Sequence, residues 1–276
     1  MLSDGARATA GYALALLFFA APGAALGAGV PVPTAASAYL LTVRGETVWA
    51  GGADRRLAPA SLTKIMTALL ALEAYQPQAV VTVGRAAAAE TGTRLGLTRG
   101  DRMSVADLLA ATLLHSGNDA CHALADWRAG DEASFVRLMN RRAAELGLTN
   151  TRYANACGHD APGHYASARD LAVLAETALQ QPVFAELVAK SEARLRTSDG
   201  SRVFAIENRN ALIGRFPGAT GVKSGSTPKA GKCLVALAER DGIRVLLVLL
   251  NAPNRWWDAH GLLERAFARA AEHRGA

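Results

Sequence analysis

Apolar and polar positions change period three times along the chain. Residues 37–52 (SAYLLTVRGETVWAGG) form two β-rich runs around Arg44-Gly45-Glu46, which predicts a β-hairpin. From Ser61 the period lengthens: Ile65, Leu69 and Leu72 recur every three to four residues with Pro59 just outside, so a helix is expected from about residue 61. Helical pattern then fills almost all of residues 61–190, broken by Gly, Asn and Asp. Two of its runs, Asp107 to Leu114 and Ala120 to Trp127, are interrupted by a turn at Ser116-Gly117-Asn118. Strand patterns return in GATGVKSGST, GKCLVALAER and IRVLLVLLNA, the last two joined by Asp241-Gly242, a strong hairpin signal. An amphipathic helix at roughly 256–272 closes the chain. Strands at both ends with helices between predict an α/β (α+β) fold. One antiparallel sheet is built from both chain ends, with flanking helices and an inserted, mostly helical lobe. Parallel βαβ alternation is not seen, and a site is expected where the lobes meet.

The first 29 residues carry Arg7, an apolar run through Leu17 and Phe19, and then small residues, with Ala25-Leu26-Gly27 as a cleavage context. Residues 1–27 are therefore read as a secretory signal. The apolar run is interrupted by Pro22 and Gly23 and is short for a bilayer span, so no stable membrane insertion is expected after cleavage. Residues 28–276 read as a single domain, with residues 30–37 as an extended lead-in and no internal repeat. The net charge of +6 survives loss of the signal, which holds one Asp and one Arg, and suits an anionic envelope surface or polymer. No basic run with interleaved aromatics is present, which argues against nucleic acid. Export to the periplasm or cell envelope is the expected location.

Three cysteines, Cys121, Cys157 and Cys233, form no C-x-x-C pair. Cys121 and Cys233 lie among small or apolar residues and read as buried small hydrophobes; Cys157 is a loop residue with no assigned role. One pair could still close in an oxidising compartment. His159 and His164 share a loop with Cys157 but have no third ligand in evidence along the sequence, so no metal site and no cofactor is expected.

Candidate chemistry lies in three short stretches. In ASLTK, Ser61 and Lys64 project from one helix face about 5–6 Å apart at Cβ, the distance of a nucleophile from its base. A serine near a helix start is usually a cap, yet a cation in the first turn opposes the helix dipole, so Lys64 needs a reason. In HSGND, Ser116 and Asn118 put a hydroxyl and an amide side by side, able to pass a proton and hold a carbonyl. In VKSGS, a cation, a hydroxyl and a glycine (Lys223, Ser224, Gly225) can bind a carboxylate while a substrate backbone lies close along the strand. Only five of the 30 basic residues are lysine. Arg cannot give up its proton whereas Lys can, so lysine at 64 and 223 looks required.

The three stretches occur in this order, 55 and then 107 residues apart, and here the sequence resembles the serine penicillin-binding proteins, most closely the low-molecular-mass D-alanyl-D-alanine carboxypeptidases. The likeness spans roughly residues 35–272 and includes ASLTKIMTALLALE, GLTRGDRMSVADLLAATLLHSGNDA, GHYASARDLAVLA, IENRNALIG and GVKSGSTPKAGKCLVA. It implies a β-lactamase/transpeptidase-like fold and removal of the terminal D-alanine from peptidoglycan stem peptides, with β-lactams as inhibitors and a monomer expected. By the same resemblance Ser61 is the nucleophile, Lys64 its base, and Ser116, with Lys223 behind it, the relay to the leaving nitrogen. Asn118 would hold the substrate amide, and the N–H groups of Ser61 and Ser226 would form the oxyanion hole. The substrate carboxylate would meet Ser224 and a cation, either Arg209 or Arg255.

The sequence departs from the family at Ser224, where Thr is usual, and at His159, where an apolar residue is usual. A β-lactamase would need a deacylating base, and no E-x-x-L-N segment lies between residues 126 and 210. D-alanyl endopeptidase action uses the same machinery. A non-catalytic cell-wall or β-lactam-binding module would be signalled by loss of Ser61, Lys64 or Asn118, all of which are present. Many relatives carry a second β-domain and a C-terminal membrane helix; neither is expected.

Overall fold

The computed structural model describes residues 34–272, so the expected signal lies outside the described residues. The elements run β1 (Ala38–Val43), β2 (Glu46–Gly51), α1 (Lys64–Leu72), β3 (Val80–Thr82), α2 (Arg85–Ala88), β4 (Arg102–Ser104), α3 (Val105–Ala110), α4 (Asn118–Ala129), α5 (Glu132–Glu145) and α6 (Ala168–Leu179). They continue with α7 (Pro182–Ala189), β5 (Glu192–Arg196), β6 (Val203–Glu207), β7 (Ala219–Thr227), β8 (Gly231–Arg240), β9 (Ile243–Leu250) and α8 (Arg255–Glu272).

Both expected hairpins form on turns whose central residues take positive φ: Arg44 (52°) with Gly45 (86°), and Asp241 (50°) with Gly242 (68°). That left-handed pair matches the twist of the flanking strands. The main sheet is antiparallel throughout in the order β2-β1-β9-β8-β7, so the chain ends meet: Ala38 pairs with Leu250, and Val43 with Val245.

The unbroken apolar run of β9 is explained by cover on both faces. Leu246, Val248 and Leu250 enter the core shared with α1, while Val245, Leu247 and Leu249 pack against Leu262, Leu263, Ala266 and Phe267 of α8. Helix α1 is buried along its entire length, which fits its lack of a polar face and makes it the central rod of the helical lobe.

The structure corrects the sequence reading at several points. Residues 61–190 are not all helical, because β3 and β4 form a short ribbon within them, and β5 pairs with β6 in a hairpin that was not expected. The helix expected from Ser61 begins at Lys64; Ala60–Thr63 form a tighter 3-10 turn. No described helix is long and apolar enough to cross a membrane.

Candidate active site

Ser61 lies in the 3-10 turn, directly after Ala60, whose φ of 50° is a conformation that a residue with a Cβ adopts only when its surroundings hold it there. A buried chain of hydrogen bonds supplies the hold. The Ala154 N–H donates to His164 Nδ1 at 2.9 Å, His164 Nε2 lies 2.9 Å from Thr63 Oγ1, and Thr63 Oγ1 donates to the Ala60 carbonyl at 2.8 Å. Burial pushes His164 down to about 4, so the ring is neutral at physiological pH. Its Nδ1 accepts from Ala154, which leaves the Nε2–H to donate to Thr63. Gly158, with φ 92°, presses on the same turn: a Cβ there would lie 2.0 Å from the Ala60 oxygen. His164 is thus a loop histidine, as expected, that serves as a buried brace.

One turn later, Lys64 Nζ lies 3.1 Å from Ser61 Oγ, 2.6 Å from Asn118 Oδ1 and 2.6 Å from the Cys157 carbonyl, with no part of the residue exposed. Burial lowers its pKa from 10.5 to about 7, against the attraction of the Glu90 and Asp119 carboxylates, which raises it. A neutral amine has two N–H bonds and one lone pair. The amide and carbonyl oxygens are matched to the two donors, and the lone pair is left for the Ser61 hydroxyl. The geometry is that of a hydroxyl with a base already in hydrogen-bond reach.

Asn118 opens α4 and is fixed at both ends. Its Nδ2 donates to the Thr91 carbonyl at 2.5 Å and its N–H to the Thr93 carbonyl at 2.7 Å. One Nδ2 hydrogen remains for a substrate carbonyl. The neighbouring Asp119, fully buried, gathers the N–H groups of Leu95, Gly96 and Leu97 at 2.8–2.9 Å and so fastens the loop that holds Asn118. Ser116 ends a widened five-residue π-helical turn, Ala111–His115, with φ 65°, and the Gly117 N–H reaches back to the Ala111 carbonyl at 3.0 Å. Such turns re-aim a side chain out of an α-helical path.

On β7, Lys223 is buried, and its Nζ donates to the Ser224 carbonyl at 3.1 Å. Burial holds it well below its usual value, and the charges of Lys64, Arg209 and Arg255 push the same way. Ser224 Oγ donates to the Arg209 carbonyl at 3.2 Å. A Cβ on Gly225 would sit 2.7 Å from the Ser61 nitrogen, so only glycine lets the strand run this close to the 3-10 turn. Ser226, one residue on, is exposed.

Of the two candidate cations, Arg255 is committed to the sheet, donating to the Gly225 and Cys233 carbonyls at 2.6 and 3.2 Å and lying over the Trp256 ring. Arg209 is exposed, and it meets Ser224 through its backbone carbonyl.

The structure settles a cysteine pairing that the sequence left open and adds a carboxylate bridge that the sequence did not show. Cys121 and Cys157 are joined by a disulfide, so neither is a free small hydrophobe or an unassigned loop thiol, while Cys233 is free and buried as expected. Glu90 lies between two imidazoles, receiving His122 Nδ1 at 2.6 Å and His159 Nε2 at 2.7 Å. Glu90, His122 and Glu132 bring ligand atoms within 4.8 Å of one another and are the described residues that could hold a metal. The His122–Glu90 hydrogen bond and an Ala156 N–H donated to Glu132 Oε1 at 2.9 Å already engage one atom on each. Two histidines downstream of a lone glutamate gave no spacing from which this bridge could be read.

A serine and two buried lysines between an antiparallel sheet and a helical lobe go with a penicillin-binding-protein fold. The peptidase S11 family of D-alanyl-D-alanine carboxypeptidases matches residues 29–254, and the chain belongs to that family. It is 37% identical over 213 residues to D-alanyl-D-alanine carboxypeptidase DacF of Bacillus subtilis, covering 75% of this chain and 54% of that protein. With DacB2 of Mycobacterium tuberculosis it shares 32% identity over 250 residues, 87% of this chain and 85% of the relative. The Streptomyces K15 DD-transpeptidase structure superposes with a TM-score of 0.80 at 33% identity, over 86% of this chain and 98% of that one. The chain spans about half the length of the first curated relatives it matches, DacF and Escherichia coli DacC.

Proposed function

We propose that the protein is an exported serine carboxypeptidase that removes the terminal D-alanine from peptidoglycan stem peptides. The observation that carries this reading is the Lys64 amine, depressed to about 7 by burial and 3.1 Å from Ser61 Oγ. Near neutral pH it is populated as a free base, which an ordinary lysine is not.

In the proposed cycle, Ser61 Oγ attacks the carbonyl carbon of the penultimate D-alanine while Lys64 takes the hydroxyl proton. The N–H groups of Ser61 and Ser226 receive the developing oxyanion, each donor contributing about 3 kcal/mol. The C–N bond breaks, the proton passes by way of Ser116 to the departing D-alanine nitrogen, and an ester on Ser61 remains. Water then adds to the ester and restores the hydroxyl. Asn118 holds the substrate amide with its remaining Nδ2 hydrogen. Lys223 stands behind Ser116 in the relay, and Ser224 with Arg209 receives the terminal carboxylate. Penicillin, whose lactam amide stands in for the scissile bond, forms the same ester.

Labelled penicillin should modify Ser61, and Ser61→Ala should lose labelling and D-alanine release together. Labelling that persists in Ser61→Ala would move the nucleophile elsewhere. D-alanine release from a pentapeptide, assayed beside a cross-linked dimer, separates carboxypeptidase from endopeptidase action. N-terminal sequencing of the exported protein should place cleavage near residue 27; a mature chain beginning at Met1 and fractionating with membrane would overturn the signal assignment.

A further inference from the structure

We infer that the Cys121–Cys157 disulfide is a positioning device for the serine–lysine pair: it fixes the backbone carbonyl that receives Lys64 to the helix that carries Asn118. The two fixed acceptors of the Lys64 amine come from separate segments. Asn118 Oδ1 belongs to the first residue of α4, and the Cys157 carbonyl to a loop, residues 153–167, that lacks regular secondary structure around it. Cys121 lies one helical turn after Asn118, and its bond to Cys157 joins the two acceptors covalently. The Cα atoms are 5.9 Å apart, within the ordinary disulfide span, and both residues are at most 1% exposed.

Other contacts anchor the loop on either side. Thr67 Oγ1 donates to the Ala156 carbonyl at 2.6 Å and the Ala156 N–H to Glu132 Oε1 at 2.9 Å, while His159 Nε2 meets Glu90 Oε2 at 2.7 Å. The disulfide is the tie at residue 157 itself. Without it the loop remains attached, but its carbonyl is free to drift relative to Asn118. A displacement of about 1 Å in such a site can slow the chemistry by about two orders of magnitude. The same loosening lets water toward an amine whose low pKa comes first from burial, so Lys64 should move back up toward its ordinary value.

The inference rests on the proposed acylation at Ser61 and on export to an oxidising compartment. Closing the bond removes one proton from each thiol and two electrons in all. Both electrons pass to a disulfide-bearing oxidant, which leaves as a dithiol.

The test compares exported wild type, the same protein refolded under reductant, and the Cys121→Ser/Cys157→Ser double variant. Each is checked for native secondary structure and thermal midpoint. Titration in denaturant should find one thiol before reduction, Cys233, and three after it; three before reduction would overturn the inference. The rate constant for acylation by labelled penicillin is then measured against pH. Reduced wild type and the double variant should acylate about 10- to 100-fold more slowly, with the acid limb displaced to higher pH. Reoxidation should restore wild type and leave the variant slow. A lower thermal midpoint with unchanged rate and pH profile would mean the bond is merely structural, and the positioning role would fall. Failure of oxidised wild type to be labelled at Ser61 would overturn the proposed function, and with it this inference.

Discussion

Replacing Lys64 by methionine separates what the amine does from what its burial costs. A fall in pKa from 10.5 to about 7 means that placing the protonated side chain in this site costs roughly 5 kcal/mol relative to the unfolded chain. The sign follows from proton counting. Between about pH 7 and the ordinary lysine value, the unfolded chain holds a proton that the folded chain has released. Stability therefore rises with pH across that window, by about 1.4 kcal/mol per pH unit. Below about pH 7 both states hold the proton, and the full penalty applies.

Methionine fills much the same volume without this titration. It strands the Asn118 and Cys157 oxygens, at about 1–3 kcal/mol each, but that loss is independent of pH. Lys223 is present in both proteins, and its depression comes first from its own burial, so most of its pH dependence cancels in the difference. Urea unfolding of both proteins at about pH 7 and about pH 9 should show wild type gaining about 2 kcal/mol on Lys64→Met between the two, a little less than the full slope because the folded amine is half-protonated at about pH 7. Parallel stabilities across this range would refute the buried-amine argument. The variant should also fail to be acylated by penicillin, because the proton of Ser61 has no acceptor.

Gly225→Ala should slow acylation by at least tenfold with a smaller loss of stability, because its Cβ would press on the Ser61 nitrogen; unchanged labelling kinetics would show that the strand can give way. In the Glu90 bridge, burial works against ionisation, but the hydrogen bonds from His122 and His159 outweigh it and hold the carboxyl at about 2, while the Glu90 hydrogen bond raises His122. The Glu90 contribution is present above about pH 4.5 and lost as pH falls through about 2, and that of His122 is present below about pH 6.5 and lost as pH rises through its raised value. Glu90→Gln should therefore lower the thermal midpoint most between about pH 4.5 and pH 6.5, by about 1–3 kcal/mol equivalent, and an equal drop near pH 9 would contradict this. Ser224→Ala should depress D-alanine release more than penicillin acylation, since only the peptide depends on recognition of its free C-terminus, and an equal fall in both would remove Ser224 from carboxylate binding.

The candidate side chains were legible because the chemistry proposed for them restricts residue type. A proton acceptor of this kind must be Lys64 and not Arg, and a strand passing 2.7 Å from the Ser61 nitrogen must carry glycine at 225. What stayed hidden is mostly carried by backbone or by pairing. The Cys157 carbonyl that receives Lys64 has no side-chain signature, since any residue offers one. The left-handed Ala60 and Ser116 are set by the tertiary contacts around them and not by their own propensity. The β5–β6 hairpin was missed although both strands alternate in burial, because each is only five residues long and fully buries one residue, Leu195 and Ile206. His164 was visible as a loop histidine, but its contact to Thr63 spans 101 residues. Only the fold brings the two together.

The pairing of β1 with β9 also sets a timetable. A chain is synthesised N-terminus first, and β1 carries Leu40 and Leu41 on opposite faces, each meant for a different core. Until β9 arrives, nearly the whole described chain later, that strand has β2 on one side and an unpaired edge on the other. Pairings of such long sequence separation are slow to form and leave apolar edges open to wrong partners. The candidate nucleophile is bound by the same schedule. Ser61 and Lys64 are made early, but Lys223 and Gly225 come only with β7, which is seated in the sheet through β8 and β9. The proposed acyl-transfer site is therefore assembled as a single late event, and an incompletely synthesised chain is a folding liability well before it can have that site.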